Sequence, residues 1–286
     1  MTGSNTLGQV APRARTAATI HSAQQRGLGL FGRRCLAPLA AAAVVIAGCG
    51  AAAPSGSTPT TATSTAKAQS ATTDNLGDGK ITALPAGTLY IQYLDVPQAA
   101  GAPITHAHIA GFVYTYLGAH RLAIQDGETK DLKPGEAAFV PANVGHTHSN
   151  PGTSASGWYF VSIRPNTART ASPTFPGQKE AFATPDLPAL PAGAYSLGLR
   201  HVTIQPNGRT AAHKHGGLES ILVLDGSVEL RVQGAALKAL QKGEGASIEA
   251  DTPLQISNKG TVPARFLAFF VTADGKPFST DVEASP

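Results

Sequence analysis

Three His-x-His pairs stand out in the sequence: His106 with His108, His146 with His148, and His213 with His215. Neutral imidazole is a borderline-soft metal ligand. On a strand, residues i and i+2 point to one face, so each pair aims two ring nitrogens into the same space. Glu219 follows the last pair and adds a carboxylate. These are the donors of a divalent transition-metal site, with iron, manganese, nickel, copper or zinc as candidate ions. Several converging imidazoles are costly to bury without a partner. A satisfied polar core is the alternative reading. No Gly-x-Ser-x-Gly, Walker loop, dinucleotide fingerprint or His-Glu-x-x-His occurs, so hydrolase, nucleotide and zincin chemistry have no support.

The elements that must position these residues are duplicated. Ala83–Gly87 recurs as Ala189–Gly193, His106-Ala-His108 as His213-Lys-His215, and Gly118, Gly135 and Asn150 as Gly226, Gly243 and Asn258. Each copy reads as short β-rich runs broken by Gly, Pro or Asp, which indicates an all-β sandwich or barrel. Helical periodicity is nearly absent, and Ala235–Gln241 is the one weak helix candidate. The expected organisation is a first β domain over 81–170, a linker over 171–186, a second β domain over 187–275 and a tail over 276–286. Tyr114 and Tyr116, on the strand after the first pair, are expected to line its cavity. His120 and His201 read as surface or strand residues.

On these residues the chain resembles the cupin superfamily, which folds as a jelly-roll (double-stranded β-helix) barrel. The first copy carries Gly101, His106, His108 and Gly118, then Gly135, Pro141, His146 and Asn150; Asn143 stands for a motif glycine and Gly111 for the motif glutamate. The second copy carries Gly208, His213, His215, Glu219 and Gly226, then Gly243 and Asn258. It has Glu249 for the proline, Asp251 for the glycine and Leu254 for the histidine. The resemblance spans about Ile81–Pro165 and Leu187–Thr272 and implies two tandem cupin barrels. It further implies one metal set of His106, His108 and His146 and a second set of His213, His215 and Glu219; His148, on the same strand face as His146, is a candidate fourth ligand. Three-histidine cupin sites resemble those of thiol dioxygenases. With no carboxylate, an ion in the first set keeps its full charge and favours an anionic substrate.

Residues 1–48 hold five arginines and no acid; removing those five of the 22 bases leaves 17 against 18 acids. A near-neutral remainder offers no nucleic-acid surface. Arg33-Arg34 precede an apolar run, and Ile46-Ala47-Gly48-Cys49 resembles a bacterial lipobox. That resemblance implies a signal peptide over 1–48, with Cys49 lipidated and the protein anchored to the outer face of the membrane. An uncleaved anchor is the alternative, and both place the domains outside the cytoplasm. Residues 49–80, rich in Ala, Ser, Thr and Pro, read as a flexible tether. Cys35 and His21 leave with the signal, so no thiolate site or disulfide framework remains.

Three functions fit these features. The first is an enzyme acting on a small organic molecule, a metal-dependent oxygenase as the resemblance to quercetin-dioxygenase-like bicupins implies, with an isomerase as the lesser alternative. The second is a tethered receptor or scavenger for a small ligand or metal. The third is a structural envelope protein with vestigial pockets. A monomer is expected, since two tandem barrels can mimic a dimer within one chain.

Overall fold

The computed structural model describes residues 70–101, 103–283 and 286. The expected signal peptide, the lipidated Cys49 and most of the expected tether lie outside the described residues. The first half contains β1 (Ala71–Ile81), β2 (Leu89–Gln98), β3 (Ile104–His106), β4 (Gly111–Leu117), β5 (His120–Ile124), β6 (Thr129–Leu132), β7 (Ala137–Val140), β8 (His146–Ser149) and β9 (Ser156–Pro165). The second half contains β10 (Lys179–Ala183), β11 (Tyr195–Ile204), β12 (His213–Lys214), β13 (Leu218–Asp225), β14 (Ser227–Val232), β15 (Lys238–Gln241), β16 (Gly245–Ile248), β17 (Leu254–Ser257), β18 (Ala264–Ala273) and β19 (Thr280–Asp281). A 3-10 turn at Asn166–Thr170 is the one helical element among the described residues. No described helix is long and apolar enough to cross a membrane.

Each half is a barrel made from two facing antiparallel sheets. The first barrel joins β10-β2-β9-β4-β7 to β3-β8-β5-β6; the second joins β1-β11-β18-β13-β16 to β15-β14-β17-β12-β19. Alternation along the strands sorts side chains between an inner and an outer face. In β2, Leu94 and Val96 turn into the first barrel, where they pack with Val113, Leu122, Trp158 and Phe160. Ile91 and Tyr93 turn outward, as do Leu197 and Leu199 of β11, and both sets join one apolar layer between the barrels. The Tyr93 hydroxyl donates to the Ser220 carbonyl across that layer at 2.8 Å, and Phe112 meets Phe269.

The leading strand of each copy pairs with the other copy. β1 precedes the first barrel yet adds to β11 of the second, with Ile81 opposite Tyr195 and Ala71 opposite Ile204. β10 precedes the second barrel yet adds to β2 of the first, with Lys179 opposite Asp95. This corrects three boundaries. The expected tether to residue 80 ends in a paired strand, the expected linker 171–186 contains β10, and the expected tail 276–286 contains β19. Polar β1 was illegible as a strand because it is an edge: Leu76 and Ile81 pack into the layer between the barrels and Ala71 against the second core, while most of its other side chains face water. Gly79 is required there, since a Cβ would fall 2.3 Å from the Phe139 ring of the first barrel. The weak helix candidate Ala235–Gln241 is corrected as well, because Lys238–Gln241 is strand β15 paired with β14.

The two non-glycine motif positions also have a physical account. Asn143 and Asp251 both adopt φ of 58°, a left-handed conformation that Asn and Asp tolerate better than most residues. There the Asn143 N–H donates to the His108 carbonyl and the Asp251 N–H to the His215 carbonyl, each at 2.7 Å. The turn that the family builds with glycine is thus kept, and it ties each His-x-His segment to the loop facing it.

A chain beginning at Ala83 lacks β1 and exposes the edge of β11. Its melting temperature is expected to fall by roughly 5–10 °C, with a rise in light scattering from edge-to-edge association. An unchanged melting curve would show that β1 contributes nothing to the second barrel.

Candidate metal centres

In the first barrel β3 presents His106, the following residues present His108, and β8 presents His146 and His148 from one face. The antiparallel register sets His106 opposite His146 and Ile104 opposite His148. One ring nitrogen from each of the four histidines falls within 4.8 Å of those of the other three. His108 Nδ1 lies 2.6 Å from the Ile109 carbonyl, and His146 Nδ1 lies 2.8 Å from the Val144 carbonyl. A carbonyl only accepts, so both Nδ1 atoms carry the proton and both Nε2 atoms are bare. Yet those two Nε2 atoms stand 3.0 Å apart, lone pair against lone pair. A cation between them removes that repulsion: two donors about 2.1 Å from one ion and at right angles are about 3.0 Å apart. The Nε2 atoms of His106 and His148 are likewise buried without a hydrogen-bond partner. The cluster fits a metal ion.

Burial keeps these rings neutral. Desolvation pushes His106 down to about 4 and His108 to about 3, and lowers His146 and His148 also. Neutral imidazole is the form that ligates.

Four features were missed or misplaced at the level of sequence. His120 is a strand residue, as expected, but no surface one: it is fully buried on β5, its Nε2 3.1 Å from His148 Nδ1, and desolvation lowers it to about 4. Tyr114 and Tyr116 do not line the cavity. Tyr114 joins the apolar layer between the barrels, and the Tyr116 hydroxyl donates to Asp95 at 2.6 Å; Val113 and Thr115 take the inward positions of β4. The segment between the barrels covers the first mouth, with the Phe175 ring 5.1 Å from His106 and 5.0 Å from Trp158. Arg164, on β9, donates through Nη1 to Gln92, while its Nε is buried and unpartnered. Phe175, Arg164 and Gln92 line a cavity of about 430 Å³ together with His106 and His108, and no spacing rule links them in sequence. His201 is a strand residue, as expected, part-exposed on β11 and 3.6 Å from Asp74.

The second barrel assembles a different set. His213, His215 and Glu219 cluster in a cavity of about 250 Å³. His213 Nδ1 donates to the Ala211 carbonyl at 2.8 Å and His215 Nδ1 to the Phe278 carbonyl at 2.5 Å. His215 Nε2 lies 3.0 Å from Glu219 Oε2, but the two are out of line for a hydrogen bond. Burial opposes charge on His215, and the Glu219 carboxylate outweighs it, so the imidazole is raised from its ordinary value. Leu254, opposite His213, is fully buried and closes that wall with carbon. The second set therefore compensates its own charge, which the first set does not.

The family model for the cupin domain matches residues 93–162 and 200–270, once in each half. Both halves are cupin domains. The bicupin has structural neighbours at low identity. Lactobacillus farciminis oxalate decarboxylase in a formate complex shows 15% identity and a TM-score of 0.49, covering 71% of this chain and 88% of that one. A mutant of Bacillus subtilis oxalate decarboxylase gives 15% and 0.47, with 71% and 79% covered. A cupin 2 conserved barrel domain protein from Leptotrichia buccalis gives 18% and 0.39, with 70% and 91% covered. These likenesses carry no information on the substrate or ion of this chain. A search of curated proteins returns no match.

The histidine environments set a pH dependence. Above pH 6.5 the five rings of the first barrel are neutral in folded and unfolded chains alike. Below it the unfolded chain takes up protons that folded His106 and His120 refuse until about pH 4 and His108 until about 3, so stability drains away across that window. His215, raised when folded, works the other way and is outnumbered. The melting temperature of metal-free protein is expected to drop steadily from pH 6.5 to about 4. A flat profile over that range would contradict the buried neutral rings.

Proposed function

We propose that the protein is an exported, lipid-anchored cupin oxidoreductase of the dioxygenase type. Its working centre in this reading is the first barrel, and its substrate is a small organic anion. The observation that carries the reading is the pair of bare Nε2 atoms of His108 and His146 set 3.0 Å apart, with His106 Nε2 buried and open beside them. His106, His108 and His146 would hold the ion. A bound divalent ion supplies Lewis-acid polarisation and one-electron chemistry toward oxygen and substrate.

The chain supplies the rest. Neutral ligands leave the ion's charge uncompensated, which attracts an anion. Arg164, steadied by Gln92 at 2.5 Å, offers a buried N–H at the same cavity and would orient the anionic end. Gln92 is itself held by Glu180 at 2.7 Å, a residue of exchanged strand β10. Phe175, Trp158 and Phe160 bound the cavity with carbon, excluding water and accommodating an apolar body. The Ile109 and Val144 carbonyls hold the tautomers of His108 and His146, so no side chain has to ionise for metal entry.

A second reading is supported by one observation in the second barrel. There the His215–Glu219 pair compensates its own charge, which suits a binding module for a small ligand without turnover.

Elemental analysis of wild type beside His108→Ala and His215→Ala separates the barrels. The expected result is loss of about one equivalent of metal in His108→Ala and a smaller loss in His215→Ala. Wild-type protein is then expected to consume oxygen with at least one member of a panel of phenolic, thiol and carboxylic compounds. Stoichiometric metal with no oxygen uptake across that panel would favour the binding module over the enzyme.

The anchoring part of the proposal rests on Cys49 and the residues before it. Cys49→Ser is expected to leave the chain unlipidated, moving it from the detergent phase to the aqueous phase in Triton X-114 partitioning. Retention of the variant in the detergent phase would point instead to an uncleaved apolar segment as the anchor.

A further inference from the structure

The internal duplication gives each position of the first barrel a counterpart in the second, and four counterparts differ together. Gly111 stands opposite Val140 as Glu219 stands opposite Ile248, so Gly111 occupies the glutamate position. Phe160 pairs with Val113 as Ala268 pairs with Ile221. His148 pairs with Leu122 as Ile256 pairs with Leu230. His120 pairs with Leu132 as Val228 pairs with Leu240. One barrel thus carries Gly, Phe, His and His where the other carries Glu, Ala, Ile and Val.

Steric and polar facts tie the four together. A Cβ on Gly111 would fall 2.7 Å from the Phe160 ring and 2.5 Å from the Val161 carbonyl. That ring packs 4.2 Å from His108, so the room a glutamate needs is filled. His148 enters the cluster from another strand; its Nε2 is buried and unpartnered, and one of its ring nitrogens lies within 4.8 Å of the other three donor atoms. Trp158 stacks on the His148 ring at 4.5 Å and 6° and fixes its plane. Behind it, His148 Nδ1 faces His120 Nε2 at 3.1 Å. For His148 Nε2 to offer a lone pair, Nδ1 must carry the proton, and His120 Nε2 is the acceptor in place to receive that hydrogen bond.

We propose that the first barrel is a four-imidazole centre in which His148 takes the role of the displaced glutamate and His120 is the positioning residue that turns His148 Nε2 toward the ion. The inference rests on the first barrel being a metal centre and goes further, to ligand number and metal class. Four neutral nitrogens favour borderline cations such as Cu(II), Ni(II) and Zn(II) over the oxygen-seeking Mg(II), Ca(II) and Mn(II).

The test uses the full chain carrying His215→Ala, so that the second barrel is silent, titrated with Cu(II) alone. Electron paramagnetic resonance is expected to resolve four nitrogen couplings. His148→Phe, which keeps the ring stacked on Trp158, is expected to leave three and to weaken Zn(II) tenfold to a hundredfold by chelator competition. His120→Leu is expected to weaken Zn(II) by a similar factor, and His120→Gln, whose side-chain oxygen can accept the same proton, to restore most of it. His148→Ala is a second variant should the phenylalanine prevent folding, with near-ultraviolet circular dichroism as the check. An unchanged nitrogen count in the His148 variants overturns the fourth ligand, and unchanged affinity in His120→Leu overturns the positioning role. No bound Cu(II) in the His215→Ala protein sinks the first-barrel metal reading itself.

Discussion

The first barrel is organised by a repulsion that its own backbone enforces. The Ile109 and Val144 carbonyls each claim a ring proton, from His108 and His146, and so strip two nitrogens that the fold then presses to within 3.0 Å. Bare nitrogens at that distance, inside a space that desolvates them, have no favourable arrangement in a dry protein. The register between β3 and β8 and the loop bond from Asn143 to His108 hold them there regardless. Strand pairing and the turn geometry thus store an electrostatic mismatch at one point, and a cation is the species that relieves it.

The two halves show how one scaffold supports different electrostatic solutions. Both keep the inward His-x-His, the left-handed turn at Asn143 or Asp251, and the buried asparagine that ties a loop through Nδ2. Asn150 reaches the Gln98 and Ser154 carbonyls, and Asn258 the Ile204 and Val262 carbonyls. What varies is the charge balance. The second barrel's cluster carries a carboxylate and replaces a histidine with Leu254, whereas the first cluster has no anionic side chain and gathers more imidazole. Conserving the frame while exchanging donors is the physical content of the duplication.

Much of this was legible because strands impose a period of two and because turns demand particular residues. The histidine pairs, Glu219 and the turn glycines lie at short fixed spacings, and those spacings survive into the structure unchanged. What could not be read depends on pairing between distant segments. β1 is polar and has no alternation of its own; it becomes a strand only because β11 offers an open edge. Tyr114 faces the wrong way for the expectation because the irregular stretch after His108 resets the alternation before β4 begins. His120 is inconspicuous until His148 is seen beside it, and Phe175 covers the pocket from a segment whose prolines suggested only a connection.

The exchange of leading strands has a consequence for how the chain is made. β1 emerges from the ribosome early and has no partner until Tyr195–Ile204 has followed. The central strand β18, flanked by β11 and β13, comes later still. The first barrel, by contrast, waits only for β10, the next strand made after β9. The second barrel cannot finish without β1 from the far side of the first, and that long-range pairing is slow to close. Excising the second barrel at the connection before β11 would leave it short of β1, and ending the first barrel at β9 would leave it short of β10.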